Sequence, residues 1–211
     1  MISLLKFFRF LGPTLLFFGT FVVLPPLVLS HFNGVLDNQM LNIYLVCITY
    51  SVIVFFTLRQ RKFRYSPKDG FVITFLTWLI ISLLASMPFL NSKITFFDAL
   101  FEAVSGLTTT GSTVINDLSK LSDHILLYRQ LLQWSGGVGL VIVVLALIPA
   151  VSGGMRVLQA ETSGFADKSF SPRLRETARS LLKFYILITG ACVLSYWAAG
   201  MTWFEAFSHS F

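Results

Sequence analysis

Charged residues are scarce in this sequence. Asp, Glu, Lys and Arg together make up 12% of its 211 residues, whereas soluble globular domains usually carry about 25%. Hydrophobic residues make up 55%. A soluble domain of this length would place more charge at its surface, so the composition argues against one and indicates a protein built into a membrane.

Cysteine and histidine are also scarce, which limits the chemistry that the chain can support. Its two cysteines, Cys47 and Cys192, both lie inside apolar runs, where small packing residues are expected rather than a disulfide or a metal site. The three histidines, His31, His124 and His209, are far apart in the sequence and form no metal set. No Ser-His-Asp, Cys-His or paired-carboxylate arrangement is present either. We therefore predict that the protein is not an enzyme and carries no cofactor.

Long uncharged runs dominate the rest of the sequence. Each is long enough to cross the hydrocarbon core of a bilayer, which takes about 20 residues in a helix. The first is not a cleavable signal peptide, because its apolar stretch is too long and no small-residue cleavage motif precedes Pro25-Pro26. We predict an all-α polytopic membrane fold with five spans, in the runs 10–36, 38–58, 70–92, 130–155 and 184–204.

The basic residues indicate how these spans are oriented. The net charge is +6, and 13 of the 16 Lys and Arg residues lie before the first run, between the second and third, or between the fourth and fifth. By the positive-inside rule, the N-terminus and the loops near 59–69 and 156–183 are cytoplasmic, and the residues near 31–37 and 91–129 are external. The basic residues also favour the headgroups of anionic membrane lipids. Their placement argues against nucleic acid as a partner.

A short helix is predicted outside, between the third and fourth spans. Both spans end on the external side, so the chain between them must leave and return on the same side. Residues 95–107 show helical spacing of apolar side chains, with Thr95 as the N-cap and Asp98 placed as in a capping box. At about 12 residues, or roughly 18 Å, this helix is too short to span, which predicts a re-entrant segment. Asp98 either caps the helix or lines, with Glu102, an external vestibule that attracts cations.

The segment after this helix carries the candidate functional residues. Residues 105–113 read Ser-Gly-Leu-Thr-Thr-Thr-Gly-Ser-Thr. The C-terminal end of a re-entrant helix carries partial negative charge, and a row of carbonyl oxygens from Thr108 to Gly111 can replace the water shell of an alkali cation. Gly111 permits a backbone conformation that a residue with a Cβ resists. These residues predict a filter for K⁺ or Na⁺, with a simple polar turn as the alternative.

An internal repeat supports the filter interpretation. The Phe-Asp-Ala sequence at 97–99 recurs as Phe-Glu-Ala at 204–206, an offset of 107 residues. The same offset carries the third span onto the fifth. A pore made by one polypeptide needs several such segments around an axis, so we predict that a second unit of span, pore helix and filter begins here.

These motifs resemble a known family. Along nearly its whole length the chain is similar to the TrkH/TrkG membrane subunits of bacterial Trk potassium uptake systems, within the Trk/Ktr/HKT superfamily. The most specific shared stretches are residues 97–99, 105–111, 128–130 and 133–139, with support from 172–173, 176–178, 204–206 and 209–211.

The resemblance implies a domain plan. Members of this family carry four span–pore–span repeats, often after an extra pair of spans. On that plan residues 1–69 are the N-terminal two-span region, 70–155 are the first repeat with its filter, 156–176 are a cytoplasmic loop, and 177–211 are the first span and partial pore helix of a second repeat.

The resemblance also implies a site and partners. Family members hold K⁺ against filter carbonyls from all four repeats, which here implies Thr108, Thr109, Thr110 and Gly111, with Thr109 and Thr110 foremost. It further implies a homodimer, a cytosolic nucleotide-binding regulatory subunit of the TrkA type, and a multi-pass location in the bacterial inner membrane.

Two functions remain open at this point. The chain lacks the second, third and fourth filters of the family plan, so one expectation is a truncated membrane subunit for K⁺ uptake that is inactive alone. The alternative is a non-transporting membrane module that associates with a full-length subunit and modulates it.

Two local features are open as well. Arg129 either pairs with a carboxylate of the short helix or faces the outer headgroups. The glycines at 136, 137 and 139 are expected to serve close helix packing rather than phosphate binding, because they lie within a membrane span.

Overall fold

A computed structural model describes residues 4–61, 67–92, 94–139 and 170–211. Every regular element in these ranges is helical, which confirms the predicted all-α fold. Residues 1–136 and 137–211 form two compact units. The α-helices are α1 (Leu4–Phe17), α2 (Leu24–Phe32), α3 (Asn38–Leu58), α4 (Pro67–Ser86), α5 (Phe96–Leu107), α6 (residues 123–139), α7 (Phe170–Ala198) and α8 (Trp203–His209), with a π-helix at Phe18–Val23 and 3₁₀ helices at Met87–Ser92 and Leu118–Lys120.

Four helical stretches are long and apolar enough to cross a membrane, and they coincide with four of the five predicted spans. The remaining prediction, 130–155, falls on α6 as far as residue 139 and otherwise lies outside the described residues. Most of the predicted loop 156–176 lies outside them too, and α7 begins at Phe170, within that range. The four stretches are Leu4–Phe32, Asn38–Leu58, Asp69–Ser92 and Arg179–Ala198.

The first two spans pack as a closely fitted pair. A Cβ added to Gly12 of α1 would lie 2.8 Å from Val54 Cγ1 of α3. Ser51 Oγ of α3 donates a hydrogen bond to the Gly12 carbonyl at 2.8 Å. Small residues let membrane helices approach in this way. Cys47 is a buried free thiol in the same helix, in the packing role that the sequence predicts.

The ends of α4 and α6 meet in a buried aromatic core. Phe89 and Tyr128 are fully buried, with ring centroids 5.4 Å apart. The Tyr128 hydroxyl donates to the Ala85 carbonyl at 3.1 Å, which satisfies a polar group that would otherwise be buried without a partner. On α5, Ala99 and Ala103 are also fully buried. The short helix is therefore packed through the side that carries its alanines, whereas Phe97 and Phe101 are exposed.

The second unit repeats a helix–turn–helix arrangement. The chain turns between α7 and α8 at Gly200, whose φ is 100°. Trp197 and Trp203 stack across this turn with ring centroids 4.8 Å apart. The turn thus links a candidate span to a short helix, as the 3₁₀ helix links α4 to α5 in the first unit.

Candidate ion-binding site

The short helix α5 begins where the sequence predicts. The Thr95 hydroxyl accepts a hydrogen bond from the Asp98 backbone N–H at 3.2 Å, and the Thr95 N–H donates to the Asp98 carboxylate at 3.3 Å. This reciprocal capping box satisfies two N–H groups at the helix start. The Thr95 hydroxyl also donates to the same carboxylate at 2.7 Å. The capping role predicted for Asp98 is confirmed.

The end of α5 is a Schellman motif, in which two backbone N–H groups fold back onto the last turn. The Thr109 N–H donates to the Gly106 carbonyl at 2.9 Å, and the Thr110 N–H donates to the Ser105 carbonyl at 2.9 Å. Thr109 adopts a φ of 57°, in the left-handed region that usually belongs to glycine. Gly111 has a φ of 74°, so the conformational freedom predicted for this glycine is used.

The four candidate ligands, residues 108–111, form one exposed segment directly after α5. The Gly111 carbonyl accepts a hydrogen bond from Arg129 Nη2 at 3.0 Å. The next carbonyl, of Ser112, accepts from Ser105 Oγ at 2.7 Å. Among the described residues, no hydrogen bond uses the carbonyl oxygens of residues 108–110. Those three oxygens are open to a ligand, and ion coordination by them stays a prediction.

A buried ion pair lies behind this segment. Arg129 Nε of α6 lies 3.0 Å from Glu102 Oε2 of α5, with 7% and 0% of the two side chains exposed. Of the two roles open for Arg129, the structure supports pairing with a carboxylate of the short helix. The vestibule role considered for Glu102 is wrong, because this carboxylate is sealed inside the protein.

The same carboxylate holds the chain that returns from the candidate site. Glu102 Oε1 accepts the Thr113 hydroxyl at 2.5 Å and the Val114 N–H at 2.8 Å. Arg129 holds Gly111 by donating a hydrogen bond from Nη2 to its carbonyl. One ion pair therefore fixes both the last candidate ligand and the irregular segment after it, through charge-assisted hydrogen bonds, which are stronger than neutral ones.

Glycines bring α5 and α6 together at this point. A Cβ on Gly106 would lie 3.1 Å from Leu132 Cβ. A Cβ on Gly136 would overlap the carbonyl oxygen of Leu107, the last residue of α5. Gly136 thus has the close-packing role predicted for this glycine cluster, and it supports the helix end from which residues 108–111 emerge.

The second unit repeats the start of this site. Thr202 caps α8, and its hydroxyl accepts from the Glu205 N–H at 3.3 Å while its N–H donates to the Glu205 carboxylate at 3.0 Å. The hydrogen bonds from the Thr202 backbone and hydroxyl lower the pKa of Glu205. Both cap residues lie 107 positions after their counterparts, Thr95 and Asp98. The offset seen in the sequence therefore has a matching structural motif.

Comparison with known families decides the assignment of the chain. The sequence model of the family described as "TrkH: Cation transport protein" matches residues 36–211. The chain belongs to this family. The matched range includes α3, the candidate site and the second capping box, so every feature described in this section lies within it.

Individual TrkH-family relatives agree with this assignment. The chain is 38% identical over 208 residues to the Trk system potassium uptake protein TrkH of Vibrio parahaemolyticus, covering 96% of this chain and 43% of the relative. It is 35% identical over 195 residues to the Trk system potassium uptake protein TrkG of Escherichia coli K12, covering 89% and 40%.

A solved structure agrees as well. The crystal structure of the potassium transporter TrkH from Vibrio parahaemolyticus aligns with a TM-score of 0.76 and 33% identity, covering 99% of this chain and 42% of that one. The chain thus spans less than half the length of these relatives.

Proposed function

We propose that this chain supplies one filter segment of a K⁺-conducting membrane pore. The observation that carries the proposal is the set of carbonyl oxygens at residues 108–110. They directly follow the C-terminal end of α5 and accept no hydrogen bond from the described residues. Helix C-termini carry partial negative charge, and carbonyl rings replace the hydration shell of alkali cations. The names of the relatives, as potassium uptake proteins, support K⁺ as the ion.

The proposed ligands are the carbonyls of Thr108, Thr109 and Thr110, with Gly111 as the hinge that lets the chain turn past them. The Gly111 carbonyl has a weaker claim, because Arg129 already donates to it. Carbonyl oxygens without a carboxylate in the ring suit K⁺ better than Mg²⁺ or Ca²⁺. An inward-negative membrane potential drives each ion with about 2.3 kcal/mol per charge per 100 mV.

The ring itself requires more than one such segment. On the four-repeat plan of the family, residues 95–111 contribute one quarter, and the capping box at Thr202 and Glu205 supports the start of a second. We propose that equivalent segments outside these 211 residues complete the ring. A homodimer, a TrkA-type regulatory subunit and an inner-membrane location with a cytoplasmic N-terminus belong to the same proposal.

Ion selectivity tests this function. Cells that lack K⁺ uptake would produce the chain, alone and together with a full-length family member, and uptake of radioactive rubidium would be measured against competing K⁺ and Na⁺. We expect Gly111→Ser to weaken the preference for K⁺ over Na⁺, because serine resists a φ of 74°. Gly34→Ser is the matched control, since Gly34 has a φ of 77° with open space around it but lies away from the site.

The second candidate function is a membrane module that modulates a full-length subunit. The observation that favours it is that the chain covers only 43% of the length of its TrkH relative. In that case the chain alone would give no uptake but would change the uptake of a co-produced full-length relative. Equal flux ratios for Gly111→Ser and wild type, in cells where the chain does affect uptake, would count against the filter assignment.

A further inference from the structure

A second buried carboxylate lies away from the candidate filter. Asp37 is the N-cap of α3, and its Oδ1 accepts hydrogen bonds from the Gln39 N–H at 2.9 Å and the Met40 N–H at 3.1 Å. Only 3% of its side chain is exposed. An N-cap usually stands at the surface and serves its own helix. The burial of Asp37 therefore calls for partners beyond α3.

The first of these partners is Asn91, in the 3₁₀ helix that follows α4. Its Nδ2 donates to Asp37 Oδ1 at 2.8 Å. Asn91 lies four residues before Thr95, the cap of α5. This contact spans 54 residues of sequence and links the N-terminal two-span region to the start of the segment that carries α5 and the candidate filter.

The second partner is His124, in the first turn of α6. Its Nε2 lies 3.5 Å from the other carboxylate oxygen of Asp37, and 11% of its side chain is exposed. The Ser122 hydroxyl lies 3.3 Å from the same nitrogen. His124 is five residues before Arg129, which holds Gly111. This contact links Asp37 to the end of the same segment.

We infer that Asp37 is a positioning residue for the pore loop, which we define as residues 94–122. One carboxylate from the N-terminal two-span region holds Asn91, which precedes the loop, and His124, which follows it. The two ends are thereby kept together, and the geometry of α5 and residues 108–111 depends on a residue outside the repeat. The functional meaning of this clamp rests on the proposed filter, although the clamp itself does not.

The pore loop has another tie that must be separated from this one. The Tyr128 hydroxyl bonds to the Ala85 carbonyl, and its ring packs on Phe89. Both of these contacts join the end of α4 to α6, because Ala85 and Phe89 lie in or directly after α4. A test of the clamp therefore needs variants that act on Asp37 and its two partners and leave Tyr128 in place.

Hydrogen–deuterium exchange of the whole chain in lipid nanodiscs, without K⁺, tests the clamp. Asp37→Asn is the central variant, because asparagine caps helices as well as aspartate does but loses the carboxylate that faces His124. Asn91→Ala removes the other contact. The matched control is Asp117→Asn, which neutralises a half-exposed carboxylate within the pore loop itself, 3.1 Å from exposed Lys120.

The clamp predicts a specific pattern. Asp37→Asn should accelerate exchange about ten-fold in residues 108–126, because the loss of one buried contact makes local opening easier by about that factor. The amides of Gln39 and Met40 should stay protected. Asn91→Ala should do the same for residues 94–107, and the two together should loosen the whole loop. His124→Ala combined with Asp37→Asn should add little to either alone, since both remove one contact.

Two results would overturn the inference. One is unchanged pore-loop exchange in Asp37→Asn and Asn91→Ala, with all variants folded as judged by circular dichroism. The other is faster exchange confined to the first turn of α3, which would reduce Asp37 to a helix cap. K⁺-dependent protection of residues 108–111, measured separately in the wild type, tests the filter, so failure of the filter and failure of the clamp are distinguishable.

Discussion

At the scale of single residues, Thr109 stands where glycine is expected. The helices α2 and α7 also end in Schellman motifs, with the same pair of hydrogen bonds, and both place glycine at the left-handed position: Gly34 with φ 77° and Gly200 with φ 100°. At the end of α5 the same position holds Thr109, a β-branched residue. Strained backbone of this kind concentrates at functional sites, which agrees with the proposed role of residues 108–110 as ion ligands.

We expect Thr109→Gly to stabilise the protein. Glycine adopts the left-handed conformation freely, whereas an L-residue with a Cβ pays about 1–2 kcal/mol there, part of which the greater flexibility of the unfolded chain offsets. Denaturant unfolding in detergent should show a gain of about 0.5–1 kcal/mol. The reverse exchange, Gly34→Thr, should destabilise, because that glycine has a similar φ and open surroundings. A loss of stability in Thr109→Gly would mean that the threonine side chain contributes more than its backbone costs.

Arg129 is the other residue with a large predicted effect. Arg129→Met would leave the Glu102 carboxylate buried without its partner, and breaking a buried pair in this way costs about 3–5 kcal/mol. The control is Lys120→Met, which removes a pair that is 82% exposed on the lysine side and should change stability by no more than about 1 kcal/mol. Both would be measured by thermal unfolding. Similar midpoints for the two variants would show that the Glu102–Arg129 pair is not a major support of the site.

At the scale of helices, short sequence patterns predicted the features that depend on neighbouring residues. The apolar runs predicted the four spans, and Thr95 with Asp98 predicted the start of α5, because each depends on residues within a few positions of one another. The Glu102–Arg129 pair joins residues 27 positions apart, and the Asp37 contacts join residues still farther apart. The sequence gives one signal for Glu102, which shares a helix face with Ala99 and Ala103, but no spacing rule names its partner.

The contact between α5 and α6 makes a prediction for Gly136. Gly136→Ala would drive a methyl group into the Leu107 carbonyl, and overpacking of this kind typically costs about 1–3 kcal/mol. Gly190→Ala in α7 is the matched control, since a Cβ there meets nothing within 4 Å and alanine favours a helix over glycine by up to about 1 kcal/mol. Unfolding midpoints should therefore move in opposite directions. A stabilised Gly136→Ala variant would contradict the close approach of the two helices.

At the scale of the whole chain, charge and topology connect the separate observations. The basic residues predict that the loop between α2 and α3 and the pore loop share the external side. Asp37 lies in the first and contacts Asn91 and His124, which flank the second, so the two loops share a side. The contact and the charge distribution are independent of each other, and both place the two loops on one side, while the charge distribution alone predicts that this is the external side.

That orientation can be tested with single cysteines and a membrane-impermeant maleimide, in a background where Cys47 and Cys192 are alanine. Phe32→Cys, at a position that is 81% exposed at the end of α2, should react in intact cells. Arg61→Cys, exposed after α3, should react only once the membrane is opened, because the basic residues around it predict a cytoplasmic loop. Leu45→Cys is the control, since its exposed side chain lies within a span and should stay unreactive in both states. The reverse pattern, with Arg61→Cys labelled from outside, would invert the topology and place the pore loop on the cytoplasmic side.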